Sequence, residues 1–238
     1  MITALLTAAG IGSRMEQEIP KQFLHVGNKP LIVYTLERFQ NHPNIDSIVV
    51  VTLASWVDVV SAYARQYGIT KLQAIVPGGD TGQESIHNGL VKIKEDGAGE
   101  DDVVMIHDGN RCLVSPEIIS NSIAVFKNHG SAVAAIPCVE AVFRSSDNGE
   151  SSTVSIPREQ LFRTQTPHTY TLDKLMWAHE QAEERGIEST AATCVLMQEL
   201  GETVYFSKGS EENLKITTVE DLHIFEALQH AHEAAEKR

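Results

Sequence analysis

Five short apolar, β-branched runs, at residues 2–6, 45–52, 72–76, 103–106 and 131–136, alternate with segments of helical period at about 30–40, 55–67, 81–95 and 116–129. A strand covered on both faces reads as a continuous apolar run, and two parallel neighbours need a crossover of a dozen or more residues between them. The alternation therefore predicts an α/β fold with a mostly parallel sheet flanked by helices. Helix starts are written into the same stretch. Thr81-Gly-Gln-Glu84 is a capping box, Ser115-Pro116 sets a capping hydroxyl before a helix-opening proline, and Thr218 with Asp221 repeats the device near the end.

Between residues 139 and 165 the alternation stops. RSSDNGESSTVSIPREQ is polar, rich in turn formers and without helical period, too long for an ordinary connection, so it predicts a protruding arm or hairpin. Helices are expected again at 172–185 and 190–200, each ended by a glycine (Gly186, Gly201), then a strand near 204–207 and a last helix from Val219. At 238 residues the chain is read as one α/β domain spanning 1–238, with the arm as an excursion from it.

A formal charge of −13 argues against nucleic acid or an anionic membrane as the main partner, since either calls for a basic surface. An anionic substrate must then be held by a few concentrated cations. Cys112, Cys138 and Cys194 are odd in number and far apart, which suggests neither a disulfide framework nor a zinc site and fits a reduced, cytoplasmic protein. Residues 1–12 are apolar, but no lysine or arginine precedes the run and it turns straight into a glycine loop, so a buried first strand is expected. No apolar stretch approaches the roughly 20 residues of a membrane span.

That loop is the first candidate for chemistry. In LLTAAGIGSRMEQEIPKQFL, Gly10-Ile-Gly12 follows a strand, as in a dinucleotide fingerprint, but Met15 stands where the third glycine belongs, and no P-loop signature occurs. A nicotinamide dehydrogenase would also need an acid ending the second strand, where residues 48–54 read IVVVTLA. Arg14 follows two residues after Gly12, and Lys21 comes behind Pro20. Loop N–H groups can approach a triphosphate while two cations flank its leaving end; a tight turn with surface cations is the alternative.

Val103-Val-Met-Ile-His-Asp108-Gly-Asn-Arg111 places a carboxylate at the carboxyl end of a central strand, where open α/β sheets bind ligands and where it can hold Mg²⁺ against phosphate oxygens. A turn aspartate before glycine is the alternative, and His107 is read as a strand histidine satisfied by backbone. Gly78-Gly79-Asp80 gives backbone room beside a helix N-terminus, suited to a base or a phosphate, or merely a strand-to-helix turn. Asn213-Leu-Lys215-Ile-Thr-Thr puts a lysine just before a helix. His230 and His232, two apart on a helix, do not share a face and are poor metal ligands.

In this order, AAGIGSRM with PKQFL, GGD, HDGNR, the arm, TQTPH and NLKITTVEDL, the chain resembles over nearly its whole length the cytidylyltransferases that act on 2-C-methyl-D-erythritol 4-phosphate and D-ribitol 5-phosphate. The resemblance implies a Rossmann-like domain, a homodimer formed through the swapped arm, and Mg²⁺-dependent transfer of CMP from CTP with release of pyrophosphate. It also implies roles. Ala8, Gly10, Gly12, Arg14 and Lys21 look like the triphosphate loop, and Gly79, Asp80 and Ser85 like the cytosine pocket. Asp108 corresponds to the metal-binding acid with Arg111 in the same motif, and Lys215 to the cation on the α-phosphate. Arg158, from the partner subunit, and Thr166 sit where the family contacts the acceptor phosphate.

The departures from the family pattern fall mainly on the acceptor side. Glu140-Ala141 replaces Asp-Thr, Ala191-Ala192 stands where a Thr-Asp pair opens a helix, an arginine usual after the GGD turn is replaced near Gly82, and Cys112 replaces a proline. Trp56, in SWVDVVSAY, and the NLKITTVEDL run look closer to the ribitol-phosphate branch. The expectation is a ribitol 5-phosphate type of acceptor, with methylerythritol phosphate as the alternative and a non-catalytic CTP-binding relative as a third reading.

Overall fold

A computed structural model describes residues 1–10 and 19–236 of the chain. Gly12 and Arg14, assigned above to the triphosphate loop, lie outside the described residues. In chain order the elements are β1 (Ile2–Ala8), the small hairpin β2 (His25–Val26) and β3 (Lys29–Pro30), α1 (Leu31–Asn41), β4 (Ser47–Thr52), α2 (Val57–Gln66), β5 (Leu72–Pro77), α3 (Gly82–Glu95), β6 (Val103–Asp108), α4 (Pro116–His129) and β7 (Ala132–Pro137). There follow β8 (Val142–Arg144), β9 (Val154–Ile156), β10 (Phe162–Thr171), α5 (Leu172–Arg185), α6 (Thr193–Glu199), β11 (Phe206–Lys208) and α7 (Val219–Glu236).

Seven strands form one sheet in the order β11-β7-β10-β6-β1-β4-β5, parallel except for β10, which runs antiparallel between β6 and β7. The predicted alternation of strand and helix is the one observed. Alternate residues of the central strands go to opposite faces. Ala4, Leu6, Ile48, Val50 and Met105 pack with Leu36 and Phe39 of α1, Val60 of α2 and Ile119 of α4. Leu5, Val49, Val51, Val104 and Ile106 pack with Leu90 of α3, Leu175 of α5 and Met197 of α6. Two cores back to back explain why these strands read as unbroken apolar runs. The expected caps form: Thr81 accepts from the Glu84 amide at 3.0 Å, Ser115 from that of Ile118 at 3.3 Å, and Gly186 ends α5 at φ 67°.

The ten-residue strand β10 was not legible in the sequence. FRTQTPHTYT has no apolar alternation and contains a proline, both of which argue against a central strand. Pairing on both edges satisfies its backbone, a register shift between Thr164 and His168 accommodates Pro167, and the buried Thr169 hydroxyl is met by Ser122 at 2.8 Å. The segment 139–165 therefore divides. Strands β8 and β9 pair as an antiparallel hairpin, while residues from Phe162 onward belong to the main sheet. The expected helix at 190–200 is also shorter, beginning at Thr193 after a turn.

One glycine sets how closely α3 lies on the sheet. A Cβ on Gly89 would stand 2.5 Å from Leu5 Cδ1 and 2.8 Å from Val51 Cγ2, both fully packed. Gly89→Ala gains up to about 1 kcal/mol of helix propensity but forces core side chains off their rotamers, so a net loss of about 1–2 kcal/mol is expected. A urea midpoint at or above that of the parent would show that α3 can lift without cost.

Candidate active site

The carboxyl ends of β1, β4 and β6 meet where the strand order diverges from β1 toward β4 on one side and β6 on the other. In open α/β sheets this is the crevice that receives ligands. Thr7 lies in register with Asp108 and Ala8 with Thr52, so residues 9–10 after β1 and the turn after β6 leave the sheet side by side. Between them and the N-terminus of α3 opens a cleft of about 750 Å³. Ala8, Gly10, Lys21, Gly79, Asp80, Ser85, Asp108, Arg111, Thr166 and Lys215, from six separate stretches of chain, all line it.

Its charged centre is a triad. Asp108 Oδ2 accepts from Arg111 Nε at 3.0 Å and Oδ1 from Lys215 Nζ at 3.0 Å. Burial alone would raise the Asp108 carboxyl, but the Lys215 and Arg111 cations outweigh it and hold the group well below the usual carboxylate range. Asp108 is therefore ionised at any physiological pH. Arg111 is 12% exposed and Lys215 43%, so Lys215 is the cation with freedom to turn toward a ligand.

What brings Lys215 across 107 residues of chain is a seam of amide hydrogen bonds that the sequence did not reveal. Asn110 Nδ2 donates to Ile216 O at 2.5 Å and Ile216 N to Asn110 O at 3.0 Å. Arg111 Nη1 donates to Asn213 O at 2.7 Å, and Asn213 Nδ2 to Thr166 O at 2.9 Å. Gln22 was missed too, although it directly follows Lys21 in the PKQFL motif. Its buried Nε2 donates to Ala8 O at 2.5 Å and Gly10 O at 3.1 Å, which fixes both Lys21 and the entry to the glycine loop. Trp56 stacks on Phe23 with ring centroids 4.0 Å apart and so braces that turn from outside the cleft.

On the opposite wall, Ser85 Oγ accepts from Gly79 N at 3.1 Å and Glu84 Oε2 from Asp80 N at 2.7 Å, so the GGD turn is folded onto the first turn of α3. Thr190, unassigned in the sequence reading, donates to Gln83 Oε1 at 3.2 Å, while Gln83 Nε2 donates to Ile187 O at 2.9 Å, tying α3 to the turn before α6. Ala191 and Ala192 line the cleft there; Glu140 and Ala141 are exposed at the root of the hairpin and do not. Nor does Arg158. It is 59% exposed, donates to Val139 O at 3.1 Å and pairs with Glu159 at 3.6 Å.

Among the described residues there is no group of three or more His, Cys, Asp or Glu that could hold a metal ion. His107 and His168 are buried, which pushes both down to about 4, and the ring nitrogens of His107 face Thr166 and the Arg111 carbonyl. The donor set is thus one carboxylate beside two cations. That suits a magnesium ion bound through a single protein oxygen and completed by substrate phosphates and water. It does not suit a structural metal. Cys112, Cys138 and Cys194 are free and buried, and no described helix is long and apolar enough to cross a membrane.

Comparison with known proteins finds relatives along nearly the whole chain. A ribitol-5-phosphate cytidylyltransferase of Lacticaseibacillus paracasei is 41% identical over 229 residues, covering 95% of this chain and 97% of that one. A 2-C-methyl-D-erythritol 4-phosphate cytidylyltransferase of Clostridium botulinum is 37% identical over 227 residues, covering 95% and 96%. The crystal structure of a 4-diphosphocytidyl-2C-methyl-D-erythritol synthase from Anaerococcus prevotii superposes with a TM-score of 0.81 over 96% of each chain at 22% identity, which speaks for the fold alone. The family model for IspD, 2-C-methyl-D-erythritol 4-phosphate cytidylyltransferase, matches residues 2–230, and the chain belongs to this cytidylyltransferase family.

Proposed function

We propose that the chain transfers CMP from CTP to a polyol phosphate of the ribitol 5-phosphate type, giving a CDP-polyol and pyrophosphate. The observation that carries this reading is the Asp108, Arg111 and Lys215 triad set at the strand ends of a cleft lined also by Lys21. An oxygen of the acceptor phosphate forms the new bond to the α-phosphorus as the bond from that phosphorus to the β-phosphate bridging oxygen breaks. The attacking oxygen is already an anion at neutral pH, so no general base is required and catalysis reduces to positioning and charge neutralisation. Lysines, an arginine and one ionised carboxylate are what such a step asks for.

In this reading Ala8, Gly10 and Gly12 receive the triphosphate, Arg14 and Lys21 neutralise charge on the departing pyrophosphate, and Gly79, Asp80 and Ser85 hold the cytosine. Lys215 turns from Asp108 to the α-phosphate. Asp108 would hold Mg²⁺, whose chemistry there is neutralisation of phosphate charge. Thr166 faces the acceptor. Arg158, exposed and away from its own cleft, serves the cleft of a second copy in a cytoplasmic homodimer; a strict monomer on sizing would remove that role. Lys21→Ala is expected to lower turnover at saturating CTP by about 10²–10³-fold, the cost of one preorganised charge in a transition state. Near-normal turnover would take Lys21 out of the mechanism.

Ribitol 5-phosphate is favoured by the 41% identity to the Lacticaseibacillus relative and by the Trp56 and NLKITTVEDL resemblance. Methylerythritol phosphate is the second reading, supported by the description of the matching family model and by the Clostridium relative. Pyrophosphate release from CTP, measured against a panel of polyol phosphates with Mg²⁺, decides between them. CTP binding without release on any acceptor would instead favour a non-catalytic relative.

A further inference from the structure

Hydrogen-bond accounting around Thr166 fixes which way its hydroxyl points. His107 is fully buried, with Phe39 5.0 Å away ring to ring, and is therefore a neutral imidazole carrying one N–H. Its Nε2 stands 3.2 Å from the carbonyl oxygen of Arg111, which can only accept, so Nε2 carries the hydrogen. Nδ1 is then an acceptor. The atom facing it at 3.0 Å is Thr166 Oγ1, which must donate its only hydrogen there. The same oxygen accepts from the Asp108 amide at 3.0 Å, leaving one lone pair. Thr166 lines the cleft next to Asp108.

We infer that His107 is a positioning residue that holds the Thr166 hydroxyl as a pure acceptor, so that at this point the cleft selects a hydroxyl of the acceptor polyol and not its phosphate. Ionised phosphate oxygens have no hydrogen to offer and would face a lone pair; a polyol hydroxyl donates to it. This rests on the proposed transfer to a polyol phosphate and revises one part of it, moving Thr166 from the acceptor's phosphate to its carbon chain. The alternative polarity needs an imidazole that donates through Nδ1, either as the other tautomer, whose bare Nε2 would face the Arg111 carbonyl, or as a buried imidazolium.

Two measurements on the full chain test the inference. Long-range proton–nitrogen correlation of histidine-labelled protein, with His107 assigned through His107→Gln, should show Nε2–H and a bare Nδ1 at neutral pH. A protonated Nδ1 overturns the inference. Steady-state kinetics should then compare Thr166→Val and Thr166→Ser on ribitol 5-phosphate and on analogues each lacking one hydroxyl. Thr166→Val should raise the acceptor KM about three- to tenfold, the effect of one neutral hydrogen bond, leave the KM for CTP unchanged, and add nothing for the one analogue that lacks the contacted hydroxyl. Thr166→Ser should restore the parent behaviour. An equal loss on every analogue, together with weaker competition by inorganic phosphate, would place Thr166 on the phosphate and overturn the inference. If no polyol phosphate accepts CMP, the proposed function fails, while the tautomer still decides the polarity of the hydroxyl.

Discussion

Asp108→Asn is expected to lower CMP transfer by at least about 10³-fold, the upper end of what a single preorganised electrostatic contact is worth in an enclosed site. The substitution keeps shape and removes one charge. That charge pairs with both Arg111 and Lys215 at 3.0 Å, and it is the carboxylate through which a magnesium ion would be held. Lys215→Ala should cost about 10²–10³-fold, and the double variant should lose less than the product of the two, because each partner positions the other. The structural effect is smaller. Asp108→Asn strands the largely buried Arg111 guanidinium and should lower stability by about 1–3 kcal/mol, whereas the Lys215 contact, 43% exposed, is screened by water and contributes little. Initial rates of pyrophosphate release with chemical denaturation of the same samples separate these effects. A rate within tenfold of the parent would remove Asp108 from the centre of the site.

Acidification should destabilise the protein from about pH 6.5 downward, before most carboxylates titrate. His107, His168 and His179 are each pushed from 6.5 down to about 4 by burial. Between those values the unfolded chain binds protons at these positions and the folded chain does not, so stability rises with pH across the window and is lost as pH falls through it. Each histidine contributes a slope of up to about 1.4 kcal/mol per pH unit. Three together would consume a large part of the ~5–15 kcal/mol typical of a folded domain. Urea midpoints measured from pH 7 to pH 4.5 should fall steeply, and His179→Gln, which removes the one of the three that lies on α5 and not on β6 or β10, should flatten the slope by about one proton. A midpoint independent of pH over that range would contradict the burial of these rings.

Much of the fold was legible because its signals are local. Parallel strands buried on both faces must be apolar along their length, as in residues 48–51, and helix caps are written within four residues, as at Thr81 to Glu84. Strand β10 escaped for the opposite reason. Phe162, Tyr170 and the four threonines of FRTQTPHTYT favour a strand one by one, but Pro167 and the lack of apolar alternation hide it; the open edges of β6 and β7 decide it by satisfying its backbone. The arm was marked by its polar composition, but its end could not be placed until the strand that follows it was known.

The site divides in the same way. Sequence alone determined which chemical groups the cleft owns: glycines after β1, a carboxylate ending β6, and a few cations on a chain of net charge −13. Their order along the chain was enough to suggest the family. Only the tertiary structure decided that Asp108, Arg111 and Lys215 touch, that Gln22 holds the carbonyls of Ala8 and Gly10, that Arg158 stands apart from its own cleft, and that His107 orients the Thr166 hydroxyl. Composition and spacing carry the identity of a side chain, whereas a hydrogen bond spanning 59 or 107 residues depends on a sheet register and loop closure that no local pattern encodes.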